Sequence, residues 1–535
     1  MSTPTPDPVH LRIYQNLLDA IAEEMGSALE RTGFSPNIKE RRDFSCAIFD
    51  ASGAMIAQAA HIPVHLGAMP LSVEAALGAH SFCPGDVVLL NDPWCGGTHL
   101  PDLTVVSAFF ESAADSPADP LTDSPTFYLA ARAHHADVGG AVRGSMALFT
   151  DIHQEGLRIP PVLWMRGGEL VRETHTLLLA NMRQPAEREG DLAAQRNALR
   201  VGEAGLARLL ADRGRDEVLA YASHLEDAAE RHVRALLGEI PDGHYSAVEL
   251  LDDDGITDTS LELHLSVEIT GDSAHFDYTG TAPACAGPLN ANRAITLSSI
   301  FYALRVLSGE EIPANSGCLR PVSVTIPPGS LLDPAIPAAV AGGNVETSQR
   351  LVDLVFSALT PALPGRVPAQ SQGTMNNCTL GGRVPVAFSY YETIGGGGGA
   401  HAGGAGVSGH HCHLTNTRNT PVEALERAIP VRVDSYTIRE GSGGAGEFPG
   451  GEGVIRALTA RADLDAALLT ERRRHAPQGV AGGGPGATGQ NSLRRADGTV
   501  VALPGKWTGR LAAGETLVIE TPGGGGYGAP LRKDK

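Results

Sequence analysis

The chain has 535 residues, 42% of them apolar, with 61 acidic against 41 basic residues and a formal net charge of −20. That length holds a large core and more than one structural unit, while the charge repels phosphate backbones and anionic bilayers and so excludes nucleic acid and membrane as expected partners. No apolar run approaches the ~20 residues of a membrane span, "MSTPTPDPVH" lacks the basic and apolar parts of a signal peptide, and seven scattered Cys without a C-x-x-C pair suit a reducing compartment, so a cytoplasmic protein is expected.

The first element is an amphipathic helix. Leu11, Tyr14, Leu17, Leu18, Ile21, Met25 and Leu29 recur at three- and four-residue spacing and end near Gly33. "DFSCAIFDASGAMIAQA" then predicts two strands around an Asp-Ala-Ser-Gly turn. Further strands are expected at 87–90, 103–110 and 127–134, the last two separated by a polar, Pro-containing loop, 112–125, expected to project from the surface. From 174 to 237 the pattern is helical, with turns signalled at Gly190 and Gly214. Alternation returns in "TSLELHLSVEIT" and "SAHFDYTG", joined at Gly271-Asp272. "NRAITLSSIFYALRVLS" and "SQRLVDLVFSAL" predict helices, with Thr347 or Ser348 available as the N-cap of the second.

Glycine sets the C-terminal part apart, since 31 of the 64 fall after Tyr390. "GGGGG" at 395–399 has a linker's composition, but apolar alternation persists in "VRVDSYTI" and "ETLVIE". Ordered β-structure is therefore expected, with glycine supplying turns and bulges. The fold class is α+β, a large multi-subdomain mixed fold with a glycine-rich β-structured C-terminal region. Its expected division is 1–172 (helix, strands and metal motifs), 173–240 (helical), 241–390 (mixed) and 391–535 (glycine-rich β).

The densest polar stretch is "NDPWCGGTHLPD", between two strands. His99 and Asp102 are separated by two residues, one of them Pro101, which argues against a helix and for an extended path with both side chains on one side. An imidazole and a carboxylate so placed suit a divalent ion. "RAHHADVGG" ends a strand, whose alternation sends His134 and His135 to opposite faces, with Asp137 on the side of His135. One His can face a site while the other packs or orients it. If strands 103–110 and 127–134 form a hairpin, both motifs meet at neighbouring strand ends. "HIPVHLG", with His61 and His65, and "ERRDFSCAIFD", with Asp43, are further sources of a ligand or a substrate contact. "GGNVETSQRLVD" offers Asn344 and Glu346. In "GHHCHLTNTRNTPVEALE" consecutive His410, His411, Cys412 and His413 cannot all face one ion, and Asn416, Arg418 and Asn419 read as hydrogen-bonding support for a polar ligand or an interface.

Three motifs are missing. No G-x-x-x-x-G-K-[ST] is present to cradle a nucleotide's phosphates. No G-x-S-x-G marks a serine nucleophile, and the glycines lack the Asp-bearing period of calcium-binding β-helices.

Together "ERRDFSCAIFDASG", "HIPVHLGAM", "NDPWCGGTHLPDLTVV", "RAHHADVGG", "EGLRIPPV", "FDYTGT", "GNVETSQRLVD", "TNTRNTPVEALE" and "TPGGGGYG" resemble, in order and over nearly the whole chain, the hydantoinase B/oxoprolinase family. The resemblance implies an enzyme subunit of a hetero-oligomer. A hydantoinase A-type partner would bind ATP and phosphorylate the carbonyl oxygen of a cyclic amide such as a hydantoin, 5-oxoproline or another lactam. This chain would hold one divalent ion, Zn or Mn, and act on the activated substrate. The implied metal ligands and catalytic residues are His99, Asp102 and His134 or His135, with Asp137 beside them and Asp43 completing the shell. Asn91, Asp92, His65, Asn344, Glu346, Asn416 and Arg418 are implied to contact substrate. An ATP-dependent ketone carboxylase subunit and an inert scaffold for the A-type subunit are the alternatives, and retention of the His/Asp set argues against the scaffold. The sequence departs from the family pattern in its long loop 112–125 and in Ala400-His401, which leaves substrate identity open.

Overall fold

The computed structural model describes residues 7–59, 62–111, 124–309, 312–383 and 387–530. His61 and the predicted projecting loop, apart from its last two positions, lie outside the described residues.

Helix α1 (Pro8–Thr32) starts at Asp7, whose side chain accepts from Val9 N at 3.0 Å, with Pro8 in the first turn where its missing N–H costs nothing. Tyr14, Leu18, Ile21, Met25 and Leu29 form its buried stripe, with Leu11 and Leu17 half-buried at the margin. The stripe packs on the long helix Pro185–Arg213. Gly190 lies inside that helix, which corrects the expected turn there. A Cβ at Gly190 would fall 2.4 Å from the Phe34 ring, and Cβ atoms at Gly202 and Gly205 would fall 2.6 Å from Met25 and 2.9 Å from Ile21. These glycines admit a neighbour rather than break the helix. Gly214, at φ +82°, does separate it from the next helix, Arg215–Gly238.

The strands β1 (Phe44–Asp50), β2 (Met55–Gln58), β3 (Val87–Leu90), β4 (Asp102–Phe109), β5 (Phe127–His134), β6 (Val162–Arg166) and β7 (Glu169–Leu170) form one antiparallel sheet in the order β2-β1-β5-β4-β3-β6-β7. The predicted hairpin exists, and its register sets Asp102 directly opposite His134. Strands β4 and β5 are buried on both faces. Odd-numbered residues of β5 (Phe127, Leu129, Ala131, Ala133) enter the core beneath α1 and the helix Pro185–Arg213. Tyr128 and Ala130 enter a second core shared with the helices Arg293–Ser308 and Ser348–Leu359.

Strands Leu261–Thr270 and Ser273–Asp277 pair around Gly271, at φ +59°, as predicted, and are extended by Gly243–Leu251 and by parallel Val322–Thr325. No N-cap stands at Thr347 or Ser348. The helix continues backward through a π-turn, Gly343–Thr347, to Ala341. Glu155 Oε1 accepts there from Val340 N at 2.7 Å and Ala341 N at 2.8 Å. Thr347 Oγ1 instead donates to Leu289 O at 2.6 Å.

The C-terminal part is ordered and strand-rich. "VRVDSYTI" and "ETLVIE" are the strands Val431–Arg439 and Thr516–Glu520 of one of the four sheets among the described residues. The glycine runs serve a different purpose from the one expected. None of Gly395–Gly399 or Gly523–Gly526 has the left-handed backbone of a turn. These segments lie side by side and bond laterally, Gly397 N to Pro522 O at 3.0 Å, Gly451 N to Gly398 O at 2.9 Å and Gly524 N to Gly451 O at 2.9 Å. A Cβ at Gly397 would lie 2.1 Å from Gly451 O, and one at Gly524 would lie 2.0 Å from Gly398 O. Only glycine permits this approach of backbone to backbone. The chain is thus a mixed α+β fold of several layers, and among its described residues no helix is long and apolar enough to cross a membrane.

Candidate metal centre

The site forms where β1, β4 and β5 end together. His134 N donates to Asp43 O at 3.0 Å and His135 N to Pro101 O at 2.8 Å, tying all three strand ends. The approach to β4 is a non-helical loop, residues 91–101, pinned from several sides. Asn91 donates to Leu100 O at 2.7 Å and Leu157 O at 3.0 Å and accepts from Ile159 N at 2.7 Å. Asp92 accepts from Trp94 N at 3.0 Å. Gly96, at φ +81°, runs so close to the Leu71 carbonyl that a Cβ would lie 2.3 Å from it. Across His99–Asp102 the path is a turn, with Asp102 N donating to His99 O at 3.2 Å. This corrects the extended path expected of Pro101. Folding back across the turn, more than alignment along an extended chain, brings the two side chains together.

Asp102 Oδ1 lies 3.0 Å from His99 Nε2 and 3.2 Å from His134 Nδ1. The other oxygen is turned away: Oδ2 accepts from Thr98 Oγ1 at 2.7 Å and faces His65 Nε2 at 3.2 Å. His65 is oriented in turn by Ser45 Oγ, 2.9 Å from its Nδ1. All of these side chains are buried. Burial alone raises the Asp102 carboxyl, but the His99 charge and the hydrogen bonds from His134, His65 and His99 outweigh it and hold the group well below the usual carboxylate range. Burial lowers His65, against the pull of Asp102. The His134 ring stacks on Tyr391 at 4.8 Å and 15°, and the Arg41 guanidinium lies 4.7 Å over Tyr391.

Ligand atoms of His99, Asp102 and His134 all fall within 4.8 Å of one another. Two imidazole nitrogens and a carboxylate oxygen facing one point form the donor set of a Zn or Mn site. Asn344 Oδ1, on the residue beside His99, is buried without a hydrogen-bond partner, a cost few native cores carry; the unpartnered His134 Nε2 and His99 Nδ1 are the ring nitrogens other than those nearest Asp102 Oδ1. The residues present therefore fit a divalent cation. Beside the cluster is a cavity of about 20 Å³ lined by Asp43, His65, Asn344, Tyr391, Thr393 and Thr417 among others. That volume takes a single ion or water.

The sequence-predicted residues divide between this point and elsewhere. His99, Asp102, His134 and His65 converge. Asn344 joins them, its Nδ2 3.2 Å from His99 Nε2. Asp43 lines the cavity, with its carboxylate 3.9 Å from Arg41, outside the converging three. His135 points to the opposite face, its Nε2 2.9 Å from Gln195 Oε1, so strand alternation assigns His134 to the cluster and removes His135 from it. Asp137 is also elsewhere, accepting from Gly139 N, Gly144 N and Arg183 and thereby shaping the loop after β5. Asn91 and Asp92 are occupied in holding their loop. Glu346 is buried behind the cavity, accepting from Asn377 Nδ2 at 2.6 Å, and Asn377 Oδ1 accepts from Tyr391 at 2.7 Å. Asn416 and Arg418 are exposed, while their neighbours Thr415 and Thr417 face the cavity. The expectation picked the more polar residues of an alternating stretch, and the fold turned the other set inward. Tyr391, Thr393 and Met375 carried no local signal.

The chain belongs to the hydantoinase B/oxoprolinase family, whose model matches residues 7–530. It is 39% identical over 550 residues to 5-oxoprolinase 1 of Arabidopsis thaliana, covering 98% of this chain and 42% of that protein. The chain thus spans about two-fifths of the length of the longer curated relatives it matches, at 41% and 42%. Its fold superposes on the crystal structure of the ATP-dependent caprolactamase from Pseudomonas jessenii with a TM-score of 0.89 at 31% identity, covering 99% of this chain and 92% of that one. A nucleotide-free acetone carboxylase shares the fold alone, with a TM-score of 0.88 at 16% identity over 99% of this chain and 76% of that one.

Proposed function

We propose that this chain is the B-type, cation-holding subunit of an ATP-dependent cyclic-amide hydrolase, working with an A-type partner that binds ATP and activates a hydantoin, 5-oxoproline or other lactam. The observation that carries the reading is the convergence of His99 Nε2, His134 Nδ1 and Asp102 Oδ1 on one buried point. Hydrolase is preferred to ketone carboxylase because the relatives named for cyclic amides stand at 31% and 39% identity and acetone carboxylase at 16%.

His99, Asp102 and His134 would hold the cation. A divalent ion supplies Lewis acidity toward an oxygen and lowers the pKa of water toward ~7. Thr98 and His65 fix Asp102 by its outer oxygen, so its inner oxygen keeps one direction. Tyr391 holds the His134 ring by stacking, and Asp43, Asn344, Thr393 and Thr417 face the space where substrate would arrive. The buried walls exclude bulk water from that space, which strengthens every charge interaction within it.

Reconstitution with its A-type partner, assayed on a panel of lactams and ketones with ATP and with or without bicarbonate, tests the reading. Bicarbonate-independent, ATP-dependent ring opening of a lactam, lost in His134→Ala, is the expected result. Turnover of a ketone only when bicarbonate is present would overturn it.

A further inference from the structure

Asn344 stands at a ligand's spacing from the cluster. Its Nδ2 is 3.2 Å from His99 Nε2, matching the 3.0 Å and 3.2 Å that separate Asp102 Oδ1 from the two imidazole nitrogens. Atoms that share one ion through bonds of ~2.0–2.2 Å are separated by roughly 3 to 3.5 Å when the shell is tetrahedral or octahedral. The side chain is 4% exposed, lines the same cavity as Asp102 and His134, and has an Oδ1 without a partner. An amide nitrogen has no lone pair free for a cation. The amide's oxygen and nitrogen change places by a half-turn of the terminal torsion, and no hydrogen bond to Oδ1 opposes that rotation.

The backbone that carries Asn344 is held firmly. The residue lies in the π-turn Gly343–Thr347, an irregularity that re-aims side chains and recurs at functional sites. Gly343 passes so close to Asn290 O that a Cβ would lie 1.9 Å from it. Thr347 Oγ1 is bonded to Leu289 O, and Ser348 Oγ to Asn344 O at 2.7 Å. Glu155, from the "EGLRIPPV" stretch whose Leu157 and Ile159 also pin the Asn91 loop, fixes the start of the same helix.

We propose that Asn344, through its side-chain oxygen, is a further ligand of the divalent cation held by His99, Asp102 and His134. This rests on the metal-centre reading and deepens it. The shell becomes two imidazoles and two oxygens from the chain, one of them neutral, with the rotated Nδ2 left facing the cavity as a donor to a bound carbonyl or phosphoryl oxygen.

The test titrates Co²⁺ into metal-stripped full-length chain and reads the visible absorption spectrum, with Zn²⁺ affinity measured by chelator competition. Asn344→Ala and the similarly shaped Asn344→Leu should weaken Zn²⁺ by about tenfold or more and alter the Co²⁺ bands. Asn344→Asp, which keeps an oxygen in place, should bind at least as tightly as wild type, and this variant decides the matter against wild type and Asn344→Gln should Ala and Leu fail to fold. Unchanged affinity and spectrum in Asn344→Leu, or in Asn344→Gln if that comparison is needed, would overturn the assignment while leaving the metal centre standing. Wild-type protein that takes up no Co²⁺ would overturn the centre itself.

Discussion

His65 Nε2 stands 3.2 Å from Asp102 Oδ2, on the side of the carboxylate turned away from His99 and His134. A chain of three side chains, Ser45, His65 and Asp102, thus runs from β1 across the short turn that precedes the helix Ala68–Ala79 to the start of β4. Its consequence is an orientation: one carboxylate oxygen is held, and the other is left for the cluster. His65→Ala should therefore keep the fold, as judged by circular dichroism, yet weaken divalent-ion affinity about 10- to 100-fold. Affinity equal to wild type would show that Thr98 alone orients Asp102.

Glu346 gives a pH signature. Burial raises its carboxyl to about 8, opposed by a hydrogen bond from Thr374 and assisted by the Glu471 charge. An unfolded Glu titrates near its ordinary value of 4.5. Between those values the folded chain holds a proton that the unfolded chain has released, so the stabilisation is complete below the lower value and is lost as pH rises through about 8. Glu346→Gln keeps an oxygen for Met375 N and Asn377 Nδ2 and removes the titration. Urea midpoints measured from about pH 5 to about pH 9 should fall less steeply in the variant than in wild type. Parallel curves would assign Glu346 an ordinary pKa.

The glycine bundle predicts opposite signs for one substitution at two places. At Gly524 a Cβ would lie 2.0 Å from Gly398 O, whereas at Gly78, inside the helix Ala68–Ala79, it would meet nothing within 4 Å. Gly524→Ala should cost about 1–3 kcal/mol or more from overpacking, and Gly78→Ala should stabilise by roughly 0.5–1 kcal/mol. Denaturant titration of both variants measures each value. A neutral Gly524→Ala would mean that the segments do not pack backbone to backbone.

The same contrast explains what the sequence made legible. His99 and Asp102 stood out because a polar turn between two apolar strands had no structural need of them, and period-two alternation put His134 and His135 on opposite faces while leaving open which of them meets the ion. The hairpin that joins the two motifs followed from local pattern as well. Gly190 and Gly395–Gly399 were misassigned because the reason for each glycine is another segment passing within contact distance, Phe34 in one case and the residues around Gly451 and Gly524 in the other. No local rule contains that information. Tyr391, Thr393, Thr415 and Thr417 reach the cavity through tertiary packing hundreds of residues downstream of β1, and in the last pair the alternation was visible but its inward face was not.

Nucleotide should belong to the partner. The chain has no phosphate-cradling glycine-Lys loop, so calorimetry on the isolated protein should detect no ATP binding up to about 1 mM, an affinity weaker than about −4 kcal/mol. Micromolar binding would contradict the proposed division of labour.

Metal analysis of the purified chain tests the central claim most directly. Wild type should carry about one divalent ion per chain, Zn or Mn. His99→Ala, Asp102→Ala and His134→Ala should each lose it while remaining folded, and His135→Ala, whose ring faces Gln195, should retain it. Full occupancy in a His99→Ala/Asp102→Ala double variant, or loss of the ion in His135→Ala alone, would contradict the account.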